Sequence, residues 1–427
     1  MDGERTMIAE IIAAGSEMLT PFRQDTNSLY LTEGLNDLGV SVAFKTIVGD
    51  SLEHLTQAAV IALSRADIVL FSGGLGPTED DNTREAAAAA LGVGLERDEE
   101  LLEGLVQRFA ARNMVMSRNN AKQADRLTGA TILPNAHGSA AGQFLDAGVD
   151  LRGGTVRRIV VLLPGPPREL KPMFTDQVMP ILARVLPPTF LARRQLRMAL
   201  VPESVVDSRT APIYKQFSDV ETTILAGSAE IQLHFACTKA TREEAEDRVQ
   251  ELATAVEDEM EDDVFSSNGD SLEEVVLLML GMRNMTLAAA ESCTGGLLAA
   301  RLTGVPGSSR YFVGGAVVYA DRLKTVFADV SEHDIEWEGP VSEAVARQLA
   351  EGIRVRTGAS IGVGITGIAG PGPGTGADEH KPLGLVYIGL ADGADTQVKE
   401  LKLGGDRERI RFWATQHALE MVRRHLL

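Results

Sequence analysis

The chain has 427 residues, 44% of them hydrophobic and 24% charged. That is room for about three domains at ~150 residues each, in a composition that excludes a disordered chain. Lys and Arg total 41 against 60 Asp and Glu, a net charge of −19; so negative a surface argues against direct nucleic-acid contact and leaves small anionic substrates to a local basic pocket. The two cysteines, Cys237 and Cys293, exclude a disulfide framework or a cysteine-rich zinc site. The start, Met1-Asp2-Gly3-Glu4, is acidic where a signal peptide is basic, and no apolar run approaches the ~18 residues of a membrane span. A cytoplasmic protein without membrane contact is expected.

In chain order, Met7–Ala13 reads as a strand, Thr26–Leu38 as a helix, Val40–Val48 as a strand and Leu52–Leu63 as a helix. Asp67–Phe71 is a short buried strand, and Arg158–Leu163 another that ends at Pro164-Gly165-Pro166-Pro167. Alternation of this kind implies a mainly parallel sheet covered on both faces. Pro187-Pro188 marks a boundary. The next segment carries strands at Phe190–Leu200, Thr222–Leu225 and Ile231–Cys237, with helices near 203–217 and 241–260, a small α+β module. Residues 241–263 hold eleven Asp and Glu against Arg242 and Arg248, with Val249, Leu252 and Val256 at helical spacing, so they read as an amphipathic helix with a solvated acidic face. Ser266–Ser271 is a polar break. Beyond it lie helices at 271–281 and 294–303, strands at Thr286–Ala290, Val313–Tyr319, Ser360–Ile365 and Leu385–Leu390, a helix after Pro340, and a C-terminal helix striped with Phe412, Leu419, Val422 and Leu426. The domains expected are 1–186, 187–266 and 267–427.

Two constellations carry chemistry. The first, Ser72-Gly73-Gly74-Leu75-Gly76-Pro77-Thr78-Glu79-Asp80-Asp81, joins a strand to a helix. Its glycines let backbone approach a phosphate, the helix start favours anions, and the acidic trio could hold a hard divalent cation. A tight turn with an acid-rich helix start would look the same. Gly15-Ser16-Glu17, Asp25-Thr26-Asn27-Ser28 and Asn119-Asn120-Ala121-Lys122-Gln123 add polar groups that singly read as caps or turns.

The second is Ala290-Glu291-Ser292-Cys293-Thr294-Gly295-Gly296. Three nucleophile-capable side chains precede two glycines at a helix start, where amides could receive an oxyanion. Spacing does not rank Ser, Cys and Thr, and a well-capped helix explains the motif equally. A base must come from elsewhere, and Lys324, desolvated beside Arg322, is the candidate. The loop Gly364–Gly376 reads as a lid or a long surface loop. In Gly404-Gly405-Asp406-Arg407, with Arg411 one turn on, Asp406 caps the final helix and the arginines could clamp a phosphate.

Together these residues carry a family resemblance. Glu17, Asp25 to Ser28, the Gly73 to Thr78 loop with Asp80-Asp81, Lys122-Gln123-Ala124 and Leu163-Pro164-Gly165 resemble the N-terminal domain of the competence/damage-inducible CinA family. The resemblance implies a three-layer molybdopterin-binding-like fold and hydrolysis of ADP-ribose to AMP and ribose 5-phosphate with a divalent metal ion. Asp81 matches the family's acidic position and stands with Asp80 as metal ligand; Glu17, Asp25, Asn27, Gly73, Gly74, Gly76, Thr78 and Lys122 are expected around the substrate. Ala290 to Gly296, Tyr319 with Lys324, Val341-Ser342, Gly367 to Pro371 and Gly404 to Arg407 resemble the CinA C-terminal domain. That implies deamidation of nicotinamide mononucleotide to nicotinic acid mononucleotide and ammonia without a cofactor. Ser292 is then the nucleophile, Lys324 the base and Tyr319 its orienting partner. Thr294, Gly295, Gly296, Thr366, Gly367, Arg407 and Arg411 are expected at the substrate. For the middle module the family implies a KH-like fold, although no GxxG loop occurs there, and for the whole a homodimer. A cofactor binder of the molybdopterin kind, or an interaction protein tied to competence and DNA damage, is the alternative.

Overall fold

The computed structural model describes residues 7–151, 154–187, 189–372, 374 and 376–427. Two compact units emerge, Met1–Ala192 with Thr238–Ala245, and Arg193–Cys237 with Glu246–Leu427.

The first unit is built on a six-stranded sheet. From edge to edge it runs Ser41–Val48, Ile8–Ala14, Ile68–Ser72, Gly154–Leu163, Gly142–Leu151 and Thr131–Leu133. The first four strands are parallel and the last two antiparallel. Strand side chains alternate between faces, and here they feed two cores. Ile12, Val69, Phe71, Val160 and Leu162 pack with Leu55, Ala59 and Ala86. Ile11, Ile68, Leu70, Val161 and Leu163 pack with Leu31, Leu35 and Phe174. This is the three-layer α/β fold expected. The Gly142–Leu151 strand, absent from the sequence reading, makes the sheet mixed: its GQFLDAGVDL carries Gly and Asp, which strands disfavour, so the run gives no apolar signal.

The module after Pro187, most of it in the second unit, has a four-stranded sheet of Glu221–Gly227, Glu230–Lys239, Phe190–Ala199 and Val264–Ser266, with helices Glu203–Tyr214 and Arg242–Met260. Val249, Leu252 and Val256 are buried, so the acidic helix is amphipathic as expected. Val264–Ser266, at three residues, is too short to leave a periodic trace. Ala199 and Phe265 of this module share a core with Leu272 and Val276.

The C-terminal sheet runs Phe312–Val317, Leu287–Glu291, Ile361–Gly367, Leu385–Ala391 and Thr396–Lys402. The first three strands are parallel and the last two antiparallel. The Arg407–His425 helix covers one face through Ile410, Ala414, Leu419 and Val422. The Glu343–Thr357 helix covers the other through Val345, Leu349 and Ile353. Thr396–Lys402 was missed because it is a polar edge strand, mostly exposed. Both sheets deliver their loops to the C-terminal ends of parallel strands, where open α/β sheets bind ligands.

Candidate active sites

In the first unit, a cavity of about 610 Å³ opens where Ile8–Ala14, Ile68–Ser72 and Gly154–Leu163 end. Glu17, Asn27, Gly73, Gly74, Gly76, Thr78, Asp80 and Asp81 line it. The glycines are required by close approach. A Cβ on Gly73 would sit 2.4 Å from the Ala14 carbonyl oxygen, and one on Gly76 2.3 Å from Asp81 Oδ2. Asp81 accepts from the Thr78 amide at 2.9 Å and its hydroxyl at 2.6 Å, closing the loop on itself. The neighbouring Asp80 carboxyl is held below the usual carboxylate range by the Thr78 side chain, then by its own backbone amide and the Lys122 ammonium. Asn27 donates to Ser72 Oγ at 3.1 Å and to the Gly165 carbonyl at 2.7 Å, while its own buried Oδ1 has no partner among the described residues.

Two expected residues do other work. Asp25 is the N-cap of the Thr26–Asp37 helix, accepting from the Ser28 amide at 2.9 Å, and is not part of the cavity wall. Lys122 donates to the Thr78 carbonyl at 2.6 Å and props the Gly loop from outside the cavity wall. Carboxylates there are hard oxygen donors of the kind a divalent ion takes. Among the described residues no three His, Cys, Asp or Glu side chains converge as a metal cluster. One or two carboxylates completed by substrate phosphates suit Mg²⁺ without such a cluster, so the donor set fits.

In the second unit, a 440 Å³ cavity gathers Ser292, Tyr319, Lys324, Thr366, Gly367 and Arg407. Ser292 follows directly on the Leu287–Glu291 strand and is 7% exposed, and Lys324 is 1% exposed. The lysine's partner is Asp321, at 2.8 Å and three residues earlier on the Asp321–Ala328 helix; Arg322 is exposed. Among the described residues the hydrogen-bond partner of Lys324 is Asp321, and Tyr319 is turned to another group. Its hydroxyl accepts from Arg407 at 3.2 Å, and Arg407 also donates to the Gly370 carbonyl at 2.6 Å. Thr366 is wholly buried and donates to the Pro340 carbonyl at 2.7 Å.

Ser292 and Cys293 both line the cavity and Thr294 does not. Burial pushes the Cys293 thiol up to about 12, and Cys293 belongs to the hydrophobic core. Thr294 is fully buried and lies outside the cavity wall. Ser292 is the hydroxyl that faces the cavity.

The expected oxyanion amides are a correction. The Gly296 amide donates to Glu291 Oε2 at 3.1 Å, and the Gly295 amide to the Ser292 carbonyl at 3.1 Å. Glu291, 2% exposed, also accepts from Leu298 and Ala299. A buried carboxylate therefore takes the start of the Leu297–Thr303 helix. Arg411 is a second correction: it donates to the Thr294 carbonyl at 2.7 Å and fastens the turn, away from the cavity. The sequence reading also assigned no role to Asp378, which pairs with Lys381 at 2.8 Å and accepts from the Val341 amide at 3.1 Å. These contacts pin part of the Gly-rich loop; Pro373 and Thr375 of that loop lie outside the described residues. The three-residue spacing of Asp321 and Lys324 on a helix was a readable signal. Glu291 left none, because its partners are backbone amides brought close by the turn.

Residues 269–426 match the family model described as CinA C-terminal domain. Residues 10–184 match that described as probable molybdopterin binding domain. A CinA-like protein of Acidobacterium capsulatum is 56% identical over 421 residues, covering 99% of this chain and 100% of that one. A CinA-like protein of Koribacter versatilis is 54% identical over the same shares. Among solved structures, competence/damage inducible protein CihA from Agrobacterium tumefaciens is 34% identical, with a TM-score of 0.34 over 35% of this chain and 90% of that one. The chain belongs to the CinA family.

Proposed function

We propose that the protein is a hydrolase of two nucleotides, one in each unit. In the second unit the substrate is nicotinamide mononucleotide. Ser292 Oγ attacks the carboxamide carbon and its proton passes to the Lys324 amine acting as base, with Asp321 holding the lysine side chain in place. The C–N bond breaks, the nitrogen leaves as ammonia with the proton Lys324 returns, and water then cleaves the ester to nicotinic acid mononucleotide. Arg407, aimed by Tyr319 and Gly370, takes the 5′-phosphate at the lip of the cavity. The observation that carries this reading is one cavity lined by both Ser292 and the buried Lys324. The test is ammonia release from nicotinamide mononucleotide by wild type, Ser292→Ala and Cys293→Ala. The serine variant loses activity and the cysteine variant keeps it; the reverse result overturns the assignment.

In the first unit the substrate is ADP-ribose, cleaved to AMP and ribose 5-phosphate. A divalent ion, when bound, neutralises the diphosphate and lowers the pKa of an attacking water. Asp80 and Asp81 would hold it. Gly73, Gly74 and Gly76 admit the diphosphate against the loop backbone, and the unpartnered Asn27 Oδ1 accepts from a substrate hydroxyl. Turnover that is indifferent to a chelator, or unchanged in Asp81→Asn, removes this reading. The match of residues 10–184 to a molybdopterin-binding model favours a second one, in which the same cavity binds a pterin phosphate without cleaving anything. Silence of the purified protein on both nucleotides would favour that binder, or an interaction partner of the competence machinery.

A further inference from the structure

The cavity of the first unit has the wrong charge for a polyphosphate. The carboxylates of Glu17, Asp50, Asp80, Asp81 and Glu169 line it, against the single cation Arg23. A second cation lies behind the wall. Arg84, at the start of the Thr83–Leu91 helix, is 0% exposed. Its Nη2 donates to the Leu75 carbonyl at 2.5 Å. Its Nε and Nη1 are buried and have no partner among the described residues. Burial pulls its pKa down, against the attraction of Glu85, Asp81 and Asp125.

A buried guanidinium with two idle donors is costly, and the loop it touches is the one that faces the ligand. The C=O and N–H of a trans peptide point in opposite directions. With the Leu75 carbonyl turned to Arg84, the Gly76 N–H points away from Arg84, and Gly76 lines the cavity. A Cβ on Gly76 would press on the Asp81 carboxylate. We propose that Arg84 is a positioning residue for anionic ligands of this cavity: it aims the Leu75–Gly76 peptide so that the Gly76 amide meets a diphosphate oxygen, and it adds a positive charge from behind the loop. The substrate class is a nucleoside diphosphate derivative. This deepens the ADP-ribose reading but rests on the cavity binding a diphosphate rather than on its cleavage.

The test uses the full chain and inorganic pyrophosphate as probe, by calorimetry with Mg²⁺ present. Arg84→Met weakens binding about 10-fold or more, and Arg84→Lys, which keeps the charge, restores it to within about threefold. Thermal melting identifies which variants fold, and the lysine variant carries the test if the methionine variant does not. A lysine variant that folds but binds no better than a folded methionine variant assigns Arg84 to structure alone and overturns the proposal. Unchanged binding in Arg84→Met, or no pyrophosphate binding by wild type, also overturns it. Wild type that binds pyrophosphate but leaves ADP-ribose intact removes the hydrolase reading and leaves the role of Arg84 standing.

Discussion

Ser292 and Cys293 are chain neighbours that both line the second cavity, at 7% and 5% exposure. The cysteine thiol, raised to about 12 by burial, is protonated throughout the neutral range. Thiol alkylation at pH 8 should therefore leave ammonia release unchanged, a result read by assaying treated protein. The same burial predicts a pH effect on stability. The folded value lies above the ~8.5 of a free thiol, so the contribution is complete below that pH and is lost as pH rises toward about 12. Cys293→Ala should show a shallower fall in melting temperature between pH 8 and 10 than wild type. Sequence alone left the trio unranked, because burial and access to the cavity are set by the fold around the turn.

At the scale of elements, helices and sheet meet through glycine. A Cβ on Gly389 would stand 2.3 Å from the Ala346 carbonyl oxygen of the Glu343–Thr357 helix, and one on Gly362 2.1 Å from that of Ala350. Backbone atoms cannot step aside as a side-chain tip can, so Gly389→Ala should destabilise the second unit by ~1–3 kcal/mol, measured by denaturant unfolding. Glu291→Gln tests a different joint. Its carboxylate receives the amides of Leu298 and Ala299 in the Leu297–Thr303 helix and of its N-cap Gly296, and losing the charge should cost ~1–3 kcal/mol, with ammonia release falling because Ser292 is the next residue. In the Arg407–His425 helix, burial and then Lys399 push His417 down to about 4. That stability is present above the ordinary histidine value and is lost as pH falls from ~6.5 toward about 4. His417→Gln should flatten the decline in melting temperature between pH 7 and 5. The helix itself was legible from its apolar stripe, whereas the polar edge strand and the Gly142–Leu151 strand were not: their side chains answer to neighbouring strands rather than to a periodic core face.

For the whole molecule, the two cavities lie in different compact units and call on different chemistry. In the full chain, a chelator should abolish ADP-ribose cleavage while ammonia release continues. Ser292→Ala should do the opposite, lowering ammonia release by about 10³-fold or more, as loss of an attacking group does, with ADP-ribose turnover unaffected. Parallel assays of both products on one preparation check this. The module after Pro187 shares Ala199 and Phe265 with the core of the second unit, a merging that sequence boundaries drawn at turns could not reveal.

By itself the sequence determined the alternation of strand and helix and the two glycine-flanked loops. Those are local facts, written in periodicity, turn chemistry and short motifs. Tertiary structure decided which groups are already spoken for. Glu291 claims the helix amides, Thr294 holds Arg411, Asp25 caps its helix, and Arg84 lies sealed behind the Gly loop. Hydrogen-bond partners and burial are set by distances between segments far apart in the chain, and no spacing within one segment records them.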